Sequence, residues 1–125
     1  MEEKTMTSPK IMICDDEEGI REALKLILGD HYPLVLTTDG ASCLECLKNS
    51  QDIQLVLIDL KMPRRDGLDI IKEIKQKHPK TKIIVVTGYR SVETAAEAVR
   101  LGACGYIVKP FKAEEILATV KNNLV

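Results

Sequence analysis

Apolar and polar residues alternate along this chain in blocks that predict five strand–helix units. Short apolar runs typical of strands read KIMIC, YPLVLT, IQLVLI, KIIVV and CGYIV. Each run is followed by a segment in which apolar residues recur at helical spacing, such as EEGIREALKLILGD after the first run. Because strands that alternate with helices favour a parallel sheet covered on both faces, the pattern predicts an α/β fold.

The same spacing indicates where the helices begin and which of their faces are buried. Asp39, Asp66 and Ser91 stand where an N-cap is expected for the second, third and fourth helices, and Gly102 is expected to end the fourth. The residues predicted to face the core are Ile20, Ala23, Leu24, Ile27 and Leu28 in the first helix, Leu68, Ile71 and Ile74 in the third, Val92, Ala95, Ala96 and Val99 in the fourth, and Ile116, Leu117, Val120 and Leu124 in the fifth.

Composition is that of an ordinary globular domain. The 125 residues suit one domain, with 45% hydrophobic and 30% charged residues. A formal net charge of −1 provides no overall basic field for nucleic acid, and no apolar run reaches the roughly 18 residues of a membrane span. The N-terminus lacks the apolar stretch of a secretory signal. We therefore expect a cytoplasmic protein with a loose tail over residues 1–9 and one domain over residues 10–125.

Four cysteines raise the question of redox chemistry: Cys14, Cys43, Cys46 and Cys104. In a cytoplasmic chain they are expected as free thiols. Cys43 and Cys46 form a C-x-x-C pair, which is compatible with a redox function. We favour a helix that carries small, half-buried cysteines at i and i+3, because no aromatic residue or proline flanks the pair and no second pair completes a zinc site.

Chemically active residues follow four of the five predicted strands, at the edge where open α/β sheets bind ligands. The acidic run 15–18 follows the first strand, Asp59 the third, Thr87 the fourth and Lys109 the fifth. Taken singly, each also has a structural explanation, as acids at a helix N-terminus, a strand-end cap, a turn residue or a solvated lysine. Their occurrence along one edge favours a shared site.

The residue types at this edge indicate a site for a divalent cation and a phosphoryl group. Asp15, Asp16 and Asp59 repel one another unless a cation lies between them, and Mg²⁺ is typically held by one or two carboxylates, waters and phosphate oxygens. Lys109 offers a compact positive charge and Thr87 a hydroxyl donor for phosphoryl oxygens. The sequence has no G-x-x-x-x-G-K loop for a nucleotide. The remaining option is a phosphoryl group carried by the protein itself, with Asp59 as the nucleophile.

Three stretches resemble the receiver domain of two-component response regulators: CDDEE, LIDLKMPRRDGLDII and VVTGYRSVETAAEAVRLGACGYIVKPF. The resemblance covers nearly the whole chain and implies a flavodoxin-like (βα)5 fold, a doubly wound sandwich with strand order 2-1-3-4-5. It implies that Asp59 accepts a phosphoryl group from a sensor histidine kinase or a phosphotransfer protein. A receiver of this kind is a signalling switch and not an enzyme for other substrates.

The resemblance also implies the metal ligands. Asp16 would bind Mg²⁺ directly, and Asp15 would act largely through water. The phosphoacceptor Asp59 and the backbone carbonyl of Lys61 would complete the ligands from the protein. Mn²⁺ is expected to substitute for Mg²⁺.

Other residues would bind the phosphoryl group and transmit its effect, again by resemblance. Thr87 and Lys109 would contact the phosphoryl oxygens, Tyr106 would be the aromatic switch residue, and the peptide bond before Pro110 would be cis. The surface of the fourth helix, fifth strand and fifth helix would then bind a second copy or an output domain. The chain looks most like receivers fused to enhancer-binding transcriptional activators or to kinases, so we expect either a stand-alone receiver or the receiver of a longer regulator.

The alternative function is a small flavodoxin-like redox or binding module. It would use Cys43 and Cys46, or a bound cofactor. Aromatic residues make up 3% of the chain and tryptophan is absent, which argues against stacking on a flavin.

Overall fold

The computed structural model describes residues 9–50 and 52–124, and over these ranges five strands alternate with five helices. The strands are β1 (Lys10–Cys14), β2 (Leu34–Thr37), β3 (Ile53–Ile58), β4 (Lys82–Thr87) and β5 (Gly105–Val108). The helices are α1 (Glu18–Leu28), α2 (Gly40–Asn49), α3 (Gly67–Lys77), α4 (Val92–Arg100) and α5 (Ala113–Leu124). The expected tail over residues 1–9 lies outside the described residues, apart from Pro9.

The strands form one parallel sheet in the order β2-β1-β3-β4-β5, which confirms the predicted fold class and strand order. Side chains of β1 alternate between the two faces. Ile11 and Ile13 pack in the core layer that contains α1 and α5, whereas Met12 and Cys14 pack in the layer that contains α2, α3 and α4. Burial on both faces explains why the central strands read as nearly continuous apolar runs.

Three helices begin at the predicted N-caps. The side chains of Asp39, Asp66 and Ser91 each accept a hydrogen bond from a backbone N–H two or three residues further along, at 2.7, 3.0 and 3.3 Å. The first helix differs, because its N-cap Glu17 makes no capping hydrogen bond with its side chain. The Glu17 carboxylate is instead directed to the edge of the sheet.

The inward faces of α1, α3 and α5 agree with the prediction. The predicted core residues that are fully buried are Leu24, Leu28, Ile71, Ile74, Ile116 and Val120.

Within the described ranges, none of the helices is long and apolar enough to cross a lipid bilayer.

The predicted inward face of α4 is wrong. Val92 and Val99 are 80% and 57% exposed, and Ala96 is exposed as well. Ala98 is fully buried and Ala95 is half-buried. Apolar residues occur around most of this nine-residue helix, so spacing alone did not identify the buried side. The small side chain of Ala98 allows α4 to lie close to the core, and the two valines are left on the outer surface.

The loop between β3 and α3 is shaped by close packing of its backbone. A Cβ atom on Gly67 would lie 2.5 Å from the Cα atom of Leu60, so only glycine fits there. The Gly67 N–H donates to the carbonyl oxygen of Leu60 at 3.3 Å. Arg64 lies in the left-handed region with φ of 73°. These contacts hold the segment that follows Asp59 in a tight turn.

Candidate functional site

Two buried carboxylates lie side by side where β1 and β3 end. Cys14 is in register with Ile58, so the next residues, Asp15 and Asp59, follow neighbouring strand ends. The Asp59 N–H donates to the carbonyl oxygen of Cys14 at 3.1 Å and extends the pairing by one residue. Asp15 and Asp59 are only 2% and 4% exposed. The apolar strand therefore delivers Asp59 to the edge of the sheet, as the sequence predicted.

Lys109 binds both buried carboxylates. Its Nζ atom lies 2.9 Å from an oxygen of Asp15, 2.9 Å from an oxygen of Asp59 and 3.0 Å from an oxygen of Glu17. Lys109 follows β5, and its N–H donates to the carbonyl oxygen of Thr87 at 2.9 Å. The sheet thus brings together residues that are 94 positions apart in the chain.

Burial and hydrogen bonding act in opposite directions on these charges. Burial raises the pKa of the Asp15 carboxyl above its usual value, although the Glu17 N–H and the Lys109 ammonium partly offset this effect. Burial also disfavours the charged form of Lys109, but its hydrogen bonds to Asp15, Asp59 and Glu17 outweigh burial and raise its pKa. The cluster holds more negative than positive charge. Lys109 therefore keeps its proton, whereas the cost of burying the negative charge of Asp15 is only partly compensated.

The donor set fits a hard divalent cation. One carboxylate oxygen from each of Asp15, Glu17 and Asp59 lies within 4.8 Å of the others. Three carboxylates against the single ammonium of Lys109 give this group a formal charge of −2. Carboxylate oxygens are the ligands that Mg²⁺ prefers, and the charge deficit matches a divalent ion.

The predicted metal ligand Asp16 is not part of that close group. Its side chain is exposed and lines a cavity of about 510 Å³ beside Glu17, Asp59 and Lys61. Sequence reasoning did not select Glu17, although the third acid of the CDDEE run was a usable signal. A residue at the N-cap of α1 with no capping hydrogen bond has its side chain available for the site.

Lys61 contacts Asp59, the predicted phosphoacceptor, through its backbone. Its N–H donates to Oδ1 of Asp59 at 3.0 Å, while Lys109 holds Oδ2 of the same carboxylate at 2.9 Å. The Lys61 side chain is exposed, and its Nζ atom lies 5.9 Å from the ring centre of Tyr89. Both oxygens of Asp59 are therefore oriented by protein donors. The Lys61 carbonyl as a metal ligand stays a prediction.

Thr87 and Tyr106 are connected through the backbone of Tyr89. Thr87 is fully buried at the end of β4, and its Oγ1 accepts a hydrogen bond from the Tyr89 N–H at 3.4 Å. The Tyr106 hydroxyl donates to the carbonyl oxygen of Tyr89 at 3.0 Å. The peptide bond between Lys109 and Pro110 is cis, as the resemblance implied. A short path thus links the edge of the site to the half-buried Tyr106.

All four cysteines are free thiols. Cys43 and Cys46 both lie on α2, one buried and one half-buried, which agrees with the interpretation as helix residues. Cys14 and Cys43 share one acceptor, the carbonyl oxygen of Asp39, which accepts from the Cys14 thiol at 3.3 Å and from the Cys43 N–H at 3.0 Å. The nearby Cys14 thiol and burial raise the pKa of the Cys43 thiol.

Comparison with known proteins gives consistent matches along the chain. The family model of the response regulator receiver domain matches residues 11–121. The transcriptional regulatory protein ZraR of Escherichia coli (strain K12) is 36% identical over 115 residues, which cover 91% of this chain. The chain spans about a quarter of the length of this curated relative, 26%.

Solved structures agree in fold. A CheY-like response regulator receiver domain protein from Methanospirillum hungatei JF-1 superposes with a TM-score of 0.89 at 29% identity, covering 94% of both chains. The beryllofluoride-activated NtrC4 receiver domain dimer gives a TM-score of 0.86 at 32% identity, covering 91% of this chain and 94% of that one. The flavodoxin-like fold is confirmed. Since the family model covers nearly all the described residues and the strand order agrees, this chain belongs to the response regulator receiver domains, a family whose general function is to accept a phosphoryl group.

Proposed function

We propose that Asp59 accepts the phosphoryl group, from a histidine of a sensor kinase or a phosphotransfer protein, in a reaction that requires Mg²⁺. One observation carries the choice of Asp59. It is the buried carboxylate that also lines the cavity at the strand ends, whereas the equally buried Asp15 is not among the residues that line it. An incoming phosphorus atom can reach Asp59 from the cavity.

The proposed step forms one P–O bond and breaks one P–N bond. A carboxylate oxygen of Asp59 attacks phosphorus, and the donor imidazole leaves with the electron pair of the P–N bond. The Lys109 ammonium, 2.9 Å from Asp59, and the Thr87 hydroxyl would offset the charge of the transferred oxygens. A bound Mg²⁺ supplies further positive charge for these oxygens. Asp15, Asp16, Glu17 and the Lys61 carbonyl would hold the ion together with Asp59.

The direct test is the intact mass of the protein after incubation with Mg²⁺ and acetyl phosphate. We expect a gain of one phosphoryl group per chain that is lost at alkaline pH, as for an acyl phosphate. Chelation of the metal before the donor is added should prevent the gain. A protein that stays unmodified under these conditions, or that gains the group equally well with chelator, contradicts the proposal.

Asp16→Asn is expected to weaken Mg²⁺ binding by roughly tenfold or more, because it removes a cavity-facing carboxylate without changing its shape. Glu18→Gln is the matched control, since Glu18 is also an exposed acid of the same run but lies in the first turn of α1, outside the residues that line the cavity. Calorimetric titration of both variants with Mg²⁺ measures the difference. Equal affinities would assign the direct ligand role to Glu17 instead.

We further propose that the surface of α4, β5 and α5 is the output surface, and that residues 10–125 act as one cytoplasmic receiver unit. Val92 and Val99, 80% and 57% exposed, give α4 an apolar outer face. Tyr106 on β5 donates to the Tyr89 carbonyl, and the Tyr89 N–H donates to Thr87, so Tyr106 is linked to the edge of the site. A second copy of the chain or an output domain of a longer regulator would cover it. The charged residues contributed by these elements are Glu93, Glu97, Arg100, Glu114 and Lys121.

Val99→Glu is expected to weaken self-association of the activated protein by roughly tenfold or more, because a charge replaces an apolar side chain on the exposed face of α4. Leu26→Glu is the control, as Leu26 is 82% exposed on α1, which is not one of the three elements of this surface. Sedimentation with Mg²⁺ and beryllofluoride measures both. If neither variant nor the parent associates, the surface serves a different chain. If Leu26→Glu alone prevents association, α4 is not the contact.

A further inference from the structure

Two buried cysteines on neighbouring elements, Cys14 and Cys43, lie behind the proposed phosphorylation site. Cys14 is the last residue of β1, and Cys43 lies in the first turn of α2. Both side chains are fully buried, in the core layer between the sheet and α2 to α4. The mechanism proposed above uses neither thiol.

One carbonyl oxygen holds the two residues together. The oxygen of Asp39 accepts a hydrogen bond from the Cys14 thiol at 3.3 Å and another from the Cys43 N–H at 3.0 Å. The nearby Cys14 thiol and burial together raise the pKa of the Cys43 thiol. Cys46, one turn further along α2, is only half-buried. The structural pair is therefore Cys14 with Cys43, and not the C-x-x-C pair of the sequence.

Cys14 is hydrogen-bonded to Asp59 through its backbone, and its side chain contacts Met62, a residue that lines the cavity. Its carbonyl oxygen accepts the Asp59 N–H at 3.1 Å, and Asp15 is the next residue in the chain. Its sulfur lies 3.7 Å from the sulfur of Met62, which also lines the cavity beside Asp59. A small molecule in the cavity is thus separated from Cys14 by the half-buried Met62 side chain.

We propose that Cys14 and Cys43 form an oxidative modification site at which a hydroperoxide produces an intramolecular disulfide. The Cys14 sulfur attacks a peroxide oxygen and becomes a sulfenic acid, and with hydrogen peroxide one water leaves. The Cys43 sulfur then displaces the hydroxyl group as a second water and forms the S–S bond. Two thiols lose two electrons in total, and the peroxide oxygens are reduced to water. Full burial of both thiols favours a small peroxide over a bulky disulfide as the oxidant.

The disulfide is expected to slow phosphorylation, a consequence that depends on the proposed function of Asp59. A covalent bond requires the two sulfur atoms to approach to about 2.05 Å, closer than any thiol–thiol contact. Closing the bond draws Cys14 and α2 toward each other, and any movement of Cys14 is passed to Asp59 through the N–H bond and to Asp15 through the peptide link. A displacement of about 1 Å at a reacting centre reduces the reaction rate by roughly tenfold to a hundredfold.

The first test uses a variant in which the other two thiols are removed, Cys46→Ser with Cys104→Ser. After hydrogen peroxide treatment and removal of excess oxidant, we expect the intact mass to fall by two hydrogen atoms. A non-reducing peptide map should show the fragments of Cys14 and Cys43 linked. Addition of Cys43→Ser should abolish the mass loss. An unchanged mass, oxidation of Met62 only, or a disulfide that forms in the parent only between Cys43 and Cys46 overturns the proposal.

The second test measures phosphorylation of the same double variant by acetyl phosphate with Mg²⁺. The oxidised protein should be labelled roughly tenfold or more slowly than the reduced protein, and dithiothreitol should restore the rate. An equal rate, with the disulfide confirmed by mass, rejects the regulatory effect. If the reduced protein is not labelled at all, the proposed function fails, while the mass and peptide results still decide whether the modification site exists.

Discussion

Asp59→Asn is expected to abolish phosphoryl acceptance and to leave the fold intact. The amide has the shape of the carboxylate, and its oxygen can still accept the Lys61 N–H now bonded to Oδ1 at 3.0 Å. It lacks the nucleophilic carboxylate, so no acyl phosphate can form. Intact mass after treatment with Mg²⁺ and acetyl phosphate should show the parent modified and the variant unmodified. The circular dichroism spectra of the two proteins should agree.

The control for this change is Asp66→Asn. Asp66 follows the same loop but is exposed and caps α3, a position where asparagine serves about as well as aspartate. This variant should be labelled like the parent, which separates the loss of the acceptor from a general effect of removing one acid. Labelling of Asp59→Asn at the parent level would falsify the assignment and direct attention to Asp15.

Lys109→Met is expected to lower the free energy of unfolding by roughly 3–5 kcal/mol in the absence of a divalent metal, the usual cost of removing one partner from a buried ion pair. The Lys109 side chain is 13% exposed, and the side chains of Asp15 and Asp59 that it binds are 3% and 4% exposed, so solvent cannot replace it fully. Methionine keeps much of the length and loses the charge. Urea denaturation at neutral pH, with chelator present, measures the change.

A surface lysine is the matched control for that experiment. Lys77 lies 2.8 Å from Glu73, at a distance similar to the pairs of Lys109, but its side chain is 64% exposed. Lys77→Met should therefore cost less than about 1 kcal/mol. Addition of Mg²⁺ should stabilise Lys109→Met more than the parent, since the cation then meets carboxylates that lack their ammonium. Equal costs for the two variants would show that Lys109 has no special electrostatic role.

Residue pattern alone was sufficient for those features that depend on neighbours in the chain. The apolar runs and the helical spacing between them predicted five strand–helix units, and all five are present in the described residues. Asp39, Asp66 and Ser91 cap helices because a short polar side chain reaches a nearby N–H whatever the rest of the protein does. The sequence also predicted Asp59 at the sheet edge, because an unpaired carboxylate is costly to bury and the apolar strand is therefore expected to end at this residue.

Other features depended on residues far apart in sequence, and there the pattern was insufficient. The outer position of Val92 and Val99 was decided by how α4 packs through Ala98, because apolar residues on both sides of a short helix are equivalent until the helix has a neighbour. Glu17 joined the site because Lys109, which follows β5, lies within 3.0 Å of it.

Cys14 shares the Asp39 carbonyl oxygen with Cys43, which is 29 positions away, and this contact too depends on how β1 and α2 pack together. Spacing within one element is set by its own periodicity, so the sequence by itself determined the strands, the helices and their caps. Contacts between elements are set by strand register and by the way helices pack on the sheet. Only the tertiary structure could decide which carboxylates Lys109 binds, which face of α4 is exposed, and which cysteine shares an acceptor with Cys14.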